Sequence, residues 1–200
     1  EAAAEAVKVA MIKDADFFAF LQEKATAIMA DDAAAQQAMV KRSAELHVQH
    51  IATSGDPFEW GSARPLDFGH WAAHKLEMLS DSRLSHGVAV GMGLLIDTKY
   101  AVLSGLIPET VFQALKDLLA GFQLPFCSAH LEQRDSQGRR EVFAGIEEFR
   151  EHLGGRLHIT LPTAIGRKIE VTEINGDRME QAIAAVIAEC GEGQPNSNQA

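Results

Sequence analysis

Three of the eight histidines, His70, His74 and His86, lie within a stretch of seventeen residues. His70 and His74 are four residues apart, so they share one face if this segment is helical. Imidazole nitrogens gathered near a carboxylate suit zinc, and three such ligands keep one coordination position open for a substrate. The spacing therefore indicates a metal centre, although two histidines four residues apart on a helix are also typical of surface positions with ordinary partners.

The elements that carry these histidines are predicted to be helices. One helix begins near Phe68 and stops around residues 80–82, and a second runs from about His86 to Leu103. The second helix is apolar on most sides, as helices in the centre of a domain are. Glycines stand beside His70 and His86, where they remove side-chain bulk if the two backbones approach closely.

The other elements follow from hydrophobic periodicity and capping residues. Further helices are expected over residues 2–13, after Asp14 and Asp16, from Asp31 and Asp32 to about Thr53, before Gly121, over 147–153 and from Asp177. Loop is expected over residues 55–65, and two strands, 156–161 and 168–172, around a turn at Pro162 and Gly166. The fold class is therefore mainly α, with one domain over residues 1–190, a small β-hairpin near residues 156–174 and a disordered tail over 191–200.

Composition and charge restrict the function. The formal net charge of −10 argues against general affinity for nucleic acid or for an anionic membrane surface, and no apolar run is long enough to span a membrane. Cys127 and Cys190 lie far apart and outside any CxxC pattern. We therefore expect two reduced thiols and a cytoplasmic location. The first residues do not have the pattern of a signal peptide. The chain does not begin with methionine and starts within a predicted helix, so we expect it to be a piece of a longer protein.

Three segments resemble motifs of the 3-dehydroquinate synthase family of sugar phosphate cyclases. Residues 67–77, DFGHWAAHKLE, are similar to the family's NFGHTFGHAIE, and residues 85–93, SHGVAVGMG, are similar to its HGEAVAIGM. Residues 4–14, AEAVKVAMIKD, resemble its AEVIKYGLIRD start, and two phenylalanines follow soon after in both. The motifs occur in the family's order over most of residues 4–103. The resemblance therefore implies the multi-helical C-terminal domain of these enzymes, which carries the metal.

The resemblance also implies the metal ligands. It implies a zinc ion, with cobalt as an alternative metal, held by Glu5, His70 and His86. Spacing alone would not select Glu5, which otherwise reads as a solvated helix glutamate. Glu77 matches a family glutamate with a supporting or structural role.

Four further residues acquire roles toward the substrate from the same resemblance. His74 aligns with a histidine that contacts the phosphate region and helps in proton transfer. Lys8 aligns with a lysine that binds substrate hydroxyls. Asp67 stands where the family has a substrate-side asparagine, and Glu59 falls in a loosely aligned loop where the family has an acid.

The family chemistry explains why these residue types are needed. In the family, NAD transiently oxidises a ring hydroxyl of a sugar phosphate, phosphate is eliminated, and an aldol closure gives a carbocycle. Zinc would grip the hydroxyl and polarise the ketone, whereas the hydride chemistry belongs to the nicotinamide. No GxGxxG-like segment is present here to bind a nicotinamide. The resemblance thus implies an NAD-binding N-terminal domain outside this chain, an inactive isolated fragment and a homodimer.

Three departures from the family pattern concern the substrate and the metal. Asp67 replaces an asparagine, and Ala63 replaces an arginine that binds the substrate carboxylate; Pro65 restricts the neighbouring Arg64 from replacing it. Losing that cation and gaining an anion disfavours a carboxylate substrate and favours a neutral polyol end, as in a heptulose phosphate. Val88 replaces a glutamate, which removes a possible orienting partner for a ligand.

Two segments point to particular branches of the family. Residues 145–157, GIEEFREHLGGRL, resemble 2-epi-5-epi-valiolone synthases and a synthase-like branch of bacterial secondary-metabolite operons, and residues 64–71, RPLDFGHW, are most similar to the second. Arg150 or His152 could replace a phosphate-side lysine of the family. A solvated helix followed by a glycine stop accounts for both residues equally well.

The sequence leaves several function classes open. The first is a zinc- and NAD-dependent cyclase of a seven-carbon sugar phosphate. The alternatives are a true 3-dehydroquinate synthase acting on 3-deoxy-arabino-heptulosonate 7-phosphate, a non-catalytic relative that keeps the fold, and a helical metalloenzyme such as an iron-containing alcohol dehydrogenase. Val88 favours the non-catalytic relative. The joint presence of five polar residues argues against it, because a fold needs none of them buried: Glu5, Lys8, His70, His74 and His86.

Overall fold

The computed structural model describes residues 2–53, 65–152, 155 and 157–191. The structure is mainly helical, as predicted. The α-helices are α1 (Ala2–Lys13), α2 (Ala15–Met29), α3 (Ala33–Thr53), α4 (His70–Leu79), α5 (His86–Leu103), α6 (Glu109–Gly121), α7 (Gly145–His152) and α8 (Gly176–Ala188). The strands are β1 (Ile159–Ala164) and β2 (Arg167–Val171), and they form one antiparallel hairpin. The predicted loop at 55–65, except Pro65, and the predicted tail, except Gly191, lie outside the described residues.

Helix α5 is the centre of the domain. Its side chains are buried on nearly every side, and it packs against α1, α4, α6, α8 and β1. A helix that is apolar all round is stable only when neighbours cover each face. The prediction of a central helix from its composition is therefore confirmed. The three candidate histidines lie on α5 and on α4, which packs beside it.

Side-chain caps define several helix starts. Asp14 accepts a hydrogen bond from the backbone N–H of Phe17 at the start of α2, and Asp32 accepts one from Ala35 at the start of α3. These caps satisfy backbone donors that have no partner within the helix. The last helix begins one residue before the predicted Asp177. There the side chain of Asn175, rather than Asp177, is the cap.

The hairpin differs from its predicted boundaries. We expected the turn to start at Pro162, but Pro162 lies within β1 and is paired with Lys168 in β2. A proline is tolerated in a two-stranded sheet because its missing N–H can face away from the partner strand. The turn is at Gly166, which has a positive φ of 78° and whose N–H donates to the carbonyl of Met11 in α1 at 2.8 Å.

Helices α4 and α5 are in direct backbone contact at two glycines. A Cβ atom on Gly93 would lie 1.9 Å from the carbonyl oxygen of Gly69, and one on Gly69 would lie 2.7 Å from the backbone nitrogen of Leu94. Gly69 also has a positive φ of 78°. The close approach was expected beside the histidines. It depends on Gly69, which precedes His70, and on Gly93, which lies two turns after His86.

The two cysteines correct the expectation of reduced thiols. Cys127 and Cys190 form a disulfide with a Cα–Cα distance of 5.5 Å, although 63 residues separate them. Helix α8 packs against α5, and this packing carries Cys190 back to the segment that follows α6. Their distance in sequence therefore said nothing about their distance in space. The cytoplasmic location stays a prediction.

None of the helices in the described part of the chain has the length and apolar character needed to cross a membrane.

Candidate metal centre

The candidate centre is assembled from the ends of three helices. The first turns of α1 supply Glu5 and Lys8, the start of α4 supplies His70 and His74, and the first residue of α5 is His86. Helix α1 can enter the core because most of its residues are small or apolar and buried. Lys8 is buried with it and is only 4% exposed.

Glu5, His70 and His86 converge on one point. Oε1 of Glu5 lies 3.8 Å from Nε2 of His70 and 3.6 Å from Nε2 of His86. One ligand atom from each residue falls within 4.8 Å of the others. Separations of this size are those of donor atoms arranged around a common ion rather than of groups bonded to each other. The structure thus brings together the three residues that the resemblance implied as ligands.

The far nitrogens of both imidazoles are held by hydrogen bonds. Nδ1 of His70 lies 3.1 Å from the carbonyl oxygen of Phe68, and Nδ1 of His86 lies 3.1 Å from Oε1 of Glu77. Each of these oxygens accepts a hydrogen bond, so Nδ1 of each ring is the donor, and Nε2 is the nitrogen on the side of Glu5. Such outer partners fix the ring tautomer and orientation of metal-binding histidines.

The protonation states also suit a cation. Burial, and next the positive charge of Lys8, lower the pKa of His70 to about 4, so that the ring is neutral at pH 7. Burial acts to raise the pKa of Glu5, but the adjacent Lys8 and the two imidazoles outweigh it, and the net shift is downward. A neutral imidazole and an ionised carboxylate are the forms that bind zinc.

One carboxylate oxygen of the cluster lacks a hydrogen-bond partner among the described residues. Oε2 of Glu5 accepts from Nζ of Lys8 at 2.6 Å, whereas Oε1 is buried without a hydrogen-bond partner among the described residues. A buried carboxylate oxygen without a partner is costly and rare. A divalent cation between Oε1 and the two Nε2 atoms would satisfy it, so the donor set fits zinc.

His74 borders this cluster on its exposed side. Its ring centroid is 5.6 Å from that of His70 and 6.4 Å from that of His86. His74 is exposed, whereas the three residues before it in α4 are buried. It is therefore placed where a molecule that approaches the cluster from solvent would meet it, and its role toward a substrate stays a prediction.

The remaining expected residues are placed only in part. Asp67 is half-buried at the end of a short 3-10 turn, Pro65–Asp67, directly before α4. Glu59, Ala63 and Arg64 lie outside the described residues. Two differences from the family motif, Ala63 and Asp67, favour a neutral substrate. The structure gives the position of Asp67 alone.

Val88 and Arg150 have positions that bear on the departures from the family pattern. Val88 is half-buried and packs against the hydrophobic core, while Glu77 accepts the hydrogen bond from Nδ1 of His86. Arg150 is exposed and donates to Glu147 at 2.8 Å on the same helix. This pairing agrees with a solvated helix face. The side chain of His152 lies outside the described residues.

Sequence reasoning missed Asp97, which organises the start of α4. Asp97 lies in α5, is 0% exposed, and accepts hydrogen bonds from the backbone N–H of Gly69 at 2.9 Å and from Nε1 of Trp71 at 2.8 Å. These donors flank His70 in sequence. Burial raises the pKa of Asp97 to about 7 against the opposing effect of the two hydrogen bonds. Its signal in the sequence was the single acid of a mostly apolar helix.

Comparison with known proteins gives one consistent family. The sequence profile described as 3-dehydroquinate synthase C-terminal matches residues 2–139. The chain is 30% identical over 188 residues to the 3-dehydroquinate synthase of Idiomarina loihiensis, an alignment that covers 94% of this chain and 49% of the relative. It is 28% identical to the enzyme of a Shewanella species, over 90% of this chain and 48% of the relative. The chain thus spans about half the length of the curated relatives it matches.

A solved structure shares the fold. A 2-epi-5-epi-valiolone synthase from Streptomyces hygroscopicus subsp. jinggangensis, with NAD+ and Zn2+ bound, superposes with a TM-score of 0.79 at 24% identity. The match covers 93% of this chain and 50% of that one. The mainly helical fold with one small hairpin, expected from the sequence, is therefore confirmed.

Proposed function

This chain belongs to the 3-dehydroquinate synthase C-terminal family, as its match over residues 2–139 shows, and we propose its function on that basis. The proposed function is that of the zinc-binding catalytic half of an NAD-dependent sugar phosphate cyclase. The reaction would eliminate phosphate from a seven-carbon sugar phosphate and close a carbocycle by an intramolecular aldol step. The observation that carries the proposal is the convergence of Glu5, His70 and His86 around Oε1 of Glu5, which has no hydrogen-bond partner among the described residues.

The metal would supply Lewis-acid polarisation of the substrate oxygen that it contacts. Glu5, His70 and His86 would hold it, with Phe68 and Glu77 orienting the two rings as outer partners. The buried ammonium group of Lys8, already paired with Glu5, would donate hydrogen bonds to substrate hydroxyls at the edge of the cluster. Its charge also keeps Glu5 ionised when no metal is bound.

His74 is proposed to hold and move a proton. Its ring stands on the solvent side of the cluster, where an imidazole nitrogen can reach the phosphate of a bound sugar phosphate. Imidazole is the side chain best suited to accept and return a proton near pH 7. Asp67, at the end of the 3-10 turn before α4, would accept hydrogen bonds from substrate hydroxyls.

The NAD site is proposed to lie in a domain that precedes this chain in the full-length protein. The curated relatives are about twice as long as this chain, which accommodates such a domain. The domain assignment over residues 1–190, the inactivity of the isolated chain, the homodimer and the cytoplasmic location are parts of the same proposal.

A neutral polyol is proposed at the end of the substrate that carries a carboxylate in 3-dehydroquinate synthase. Ala63 provides no cation for a carboxylate, and Asp67 adds a negative charge nearby in sequence. A substrate carboxylate beside the side chain of an aspartate would be disfavoured by charge repulsion. A heptulose phosphate such as sedoheptulose 7-phosphate avoids this repulsion.

Metal binding is the first test of the proposal. The chain, stripped with EDTA, would be titrated with Zn2+ by calorimetry and with Co2+ by visible absorption, which reports the ligand geometry. We expect one equivalent to bind and expect H70A and H86A to lose most of the affinity. H47A is the matched control because His47 is exposed on α3. Equal affinity in H70A, H86A and H47A would contradict the proposal.

Phosphate release by the full-length protein is the second test. With NAD and zinc present, inorganic phosphate would be followed from sedoheptulose 7-phosphate and, separately, from 3-deoxy-arabino-heptulosonate 7-phosphate. We expect release from the first only. Release from the second would instead make the protein a 3-dehydroquinate synthase, the alternative favoured by the names of its curated relatives.

A non-catalytic relative is the remaining candidate, because Val88 replaces an acid of the family motif. The hydrogen bond between His86 and Glu77 weakens that case, since the ring has an orienting partner without residue 88. Tight metal binding with no phosphate release from either sugar phosphate would favour this candidate.

A further inference from the structure

A second polar feature lies away from the candidate metal centre. A cleft of about 480 Å³ opens between α1, α3 and the turn of the hairpin, and Lys13, Arg167 and Lys168 lie in its wall. Lys13 is the last residue of α1, eight residues after Glu5, which corresponds to roughly 12 Å along the helix. The cleft is therefore a separate site on the same helix.

The wall of the cleft is held by backbone contacts. The N–H of Gly166 donates to the carbonyl of Met11 at 2.8 Å. A Cβ atom on Gly166 would lie 2.6 Å from the backbone nitrogen of Ala15. The hairpin turn, which carries Arg167 and Lys168, is thus fixed against the junction of α1 and α2. The three cations are brought together by the fold and not by flexible loops.

The cations of the cleft have no anionic partner in the described part of the chain. No carboxylate there lies within 4.0 Å of Lys13, Arg167 or Lys168. The acids next to them in sequence are engaged elsewhere: Asp14 pairs with Arg42, and Glu170 lies 2.8 Å from His158. Nζ of Lys13 instead lies 2.9 Å from Nδ1 of the buried His50. Three cationic side chains without an ion pair stand out in a chain whose net charge is −10.

Burial disfavours the charged form of both lysines, and Lys168 adds to this effect at Lys13. Burial lowers the pKa of Lys13, and the charge of Lys168 lowers it further. Burial also lowers the pKa of Lys168, and Glu170 offsets this only in part. Partly desolvated like charges repel unless an anion lies between them. The wall also contains the apolar side chains of Ile12 and Leu46, which strengthen electrostatic interactions in the cleft.

We propose that this cleft binds a phosphate group, either as inorganic phosphate or as the phosphate of a small phosphorylated metabolite. Two ammonium groups and a guanidinium can surround three phosphate oxygens, and a guanidinium can bind two of them at once. Thr163 in the same wall offers a hydroxyl to the ligand. The site does not depend on the metal centre or on the proposed cyclase activity.

Titration of the 200-residue chain with inorganic phosphate, in EDTA, tests the proposal. Binding would be measured by calorimetry and by the rise in thermal unfolding temperature relative to chloride at the same ionic strength. We expect phosphate to bind and to stabilise the chain, and expect K13Q and K168Q each to weaken binding about tenfold. K41Q is the matched control, because Lys41 is exposed on α3 and faces Glu45 at 3.9 Å. It should bind phosphate as the unaltered chain does.

Two further variants distinguish phosphate binding in the cleft from binding at the metal centre and from a purely structural role of the lysines. H74A should bind phosphate and be stabilised by it as the unaltered chain is. If H74A lost phosphate binding while K13Q kept it, the phosphate would lie at the candidate metal centre and the proposal would be overturned. Without phosphate, K168Q should be at least as stable as the unaltered chain, because Lys168 forms no ion pair within 4.0 Å in the described part of the chain and its charge disfavours that of Lys13. Equal loss of stability with and without phosphate would give the lysines a purely structural role and would also overturn it.

The source of the phosphate is distinguished by a second ligand. Titration with glycerol phosphate, a simple phosphate monoester, would be compared with inorganic phosphate. Tighter binding of the ester supports a phosphorylated metabolite, and equal or weaker binding supports inorganic phosphate. If phosphate raised the unfolding temperature no more than chloride does at the same ionic strength, neither source of phosphate would bind in the cleft.

Discussion

The ionisation of Asp97 yields a quantitative prediction about stability. Its carboxyl is 0% exposed, and burial raises its pKa to about 7 from an ordinary value near 3.8. Because the folded pKa is the higher one, the stabilising contribution of Asp97 is fully present below about pH 3.8. That contribution is lost as the pH rises through 7. A shift of this size corresponds to about 4 kcal/mol over the whole range, of which roughly 2.5 kcal/mol falls between pH 5 and pH 8.

The substitution D97N isolates this effect. Asparagine cannot titrate. It also offers only one oxygen to the two donors, Gly69 N–H and Trp71 Nε1. The substitution should therefore lower the unfolding free energy by about 1–3 kcal/mol at every pH. The difference in unfolding free energy between the unaltered chain and D97N should therefore move in favour of D97N by roughly 2.5 kcal/mol from pH 5 to pH 8. The titration of the histidines cancels in this difference.

Urea unfolding followed by far-ultraviolet circular dichroism measures the difference. It would be recorded at pH 5, 6, 7 and 8 with EDTA and constant ionic strength. The far-ultraviolet signal is used because it is dominated by the helices of the chain rather than by Trp71. A difference that stays constant with pH would refute the reasoning, because Asp97 would then titrate near its ordinary value. A difference that moves in favour of the unaltered chain would show that the two donors outweigh burial.

Three other predictions concern packing, ligand orientation and the disulfide. G93A should lower the unfolding free energy in urea by about 3–5 kcal/mol, because its Cβ would lie 1.9 Å from the Gly69 carbonyl oxygen. G91A is the control, because its Cβ would meet only a side-chain atom, at 3.8 Å. Its unfolding free energy should be unchanged or slightly higher. E77A should lower Co2+ affinity by about 10–100-fold while the circular dichroism spectrum stays the same, because His86 loses the acceptor of its Nδ1 proton; unchanged affinity would mean that Glu77 does not orient the ring. Reducing the disulfide, whose cysteines are 63 residues apart, should lower the unfolding free energy by up to about 4 kcal/mol, and an unaltered urea midpoint after reduction would contradict this.

The sequence by itself determined most element boundaries, because the determining interactions lie within about four residues along the chain. The cap at Asp14 and the apolar surroundings of α5 could be recognised without knowing what they pack against. The start of β1 and the turn were predicted less well. Pro162 is compatible with either a turn or a strand, and only its pairing with Lys168 placed it in the strand.

The family motifs supplied the identity of the candidate ligands, but periodicity alone could not. His70 and His74 share a helix, so their proximity follows from local geometry. Glu5 belongs to α1, and nothing near it in sequence distinguishes it from a solvated glutamate. Its position depends on the packing of α1 against α5, which leaves Oε1 between two imidazoles.

Tertiary structure alone decided the contacts between residues far apart in sequence. The pairing of Cys127 with Cys190, the hydrogen bonds of Asp97 across to Gly69, and the gathering of cations at the hairpin turn all join separate elements. Such contacts follow from how buried helix faces fit together, and a single sequence records only that the faces are apolar. The local pattern therefore determines which helices form, and their packing determines which of their polar groups meet.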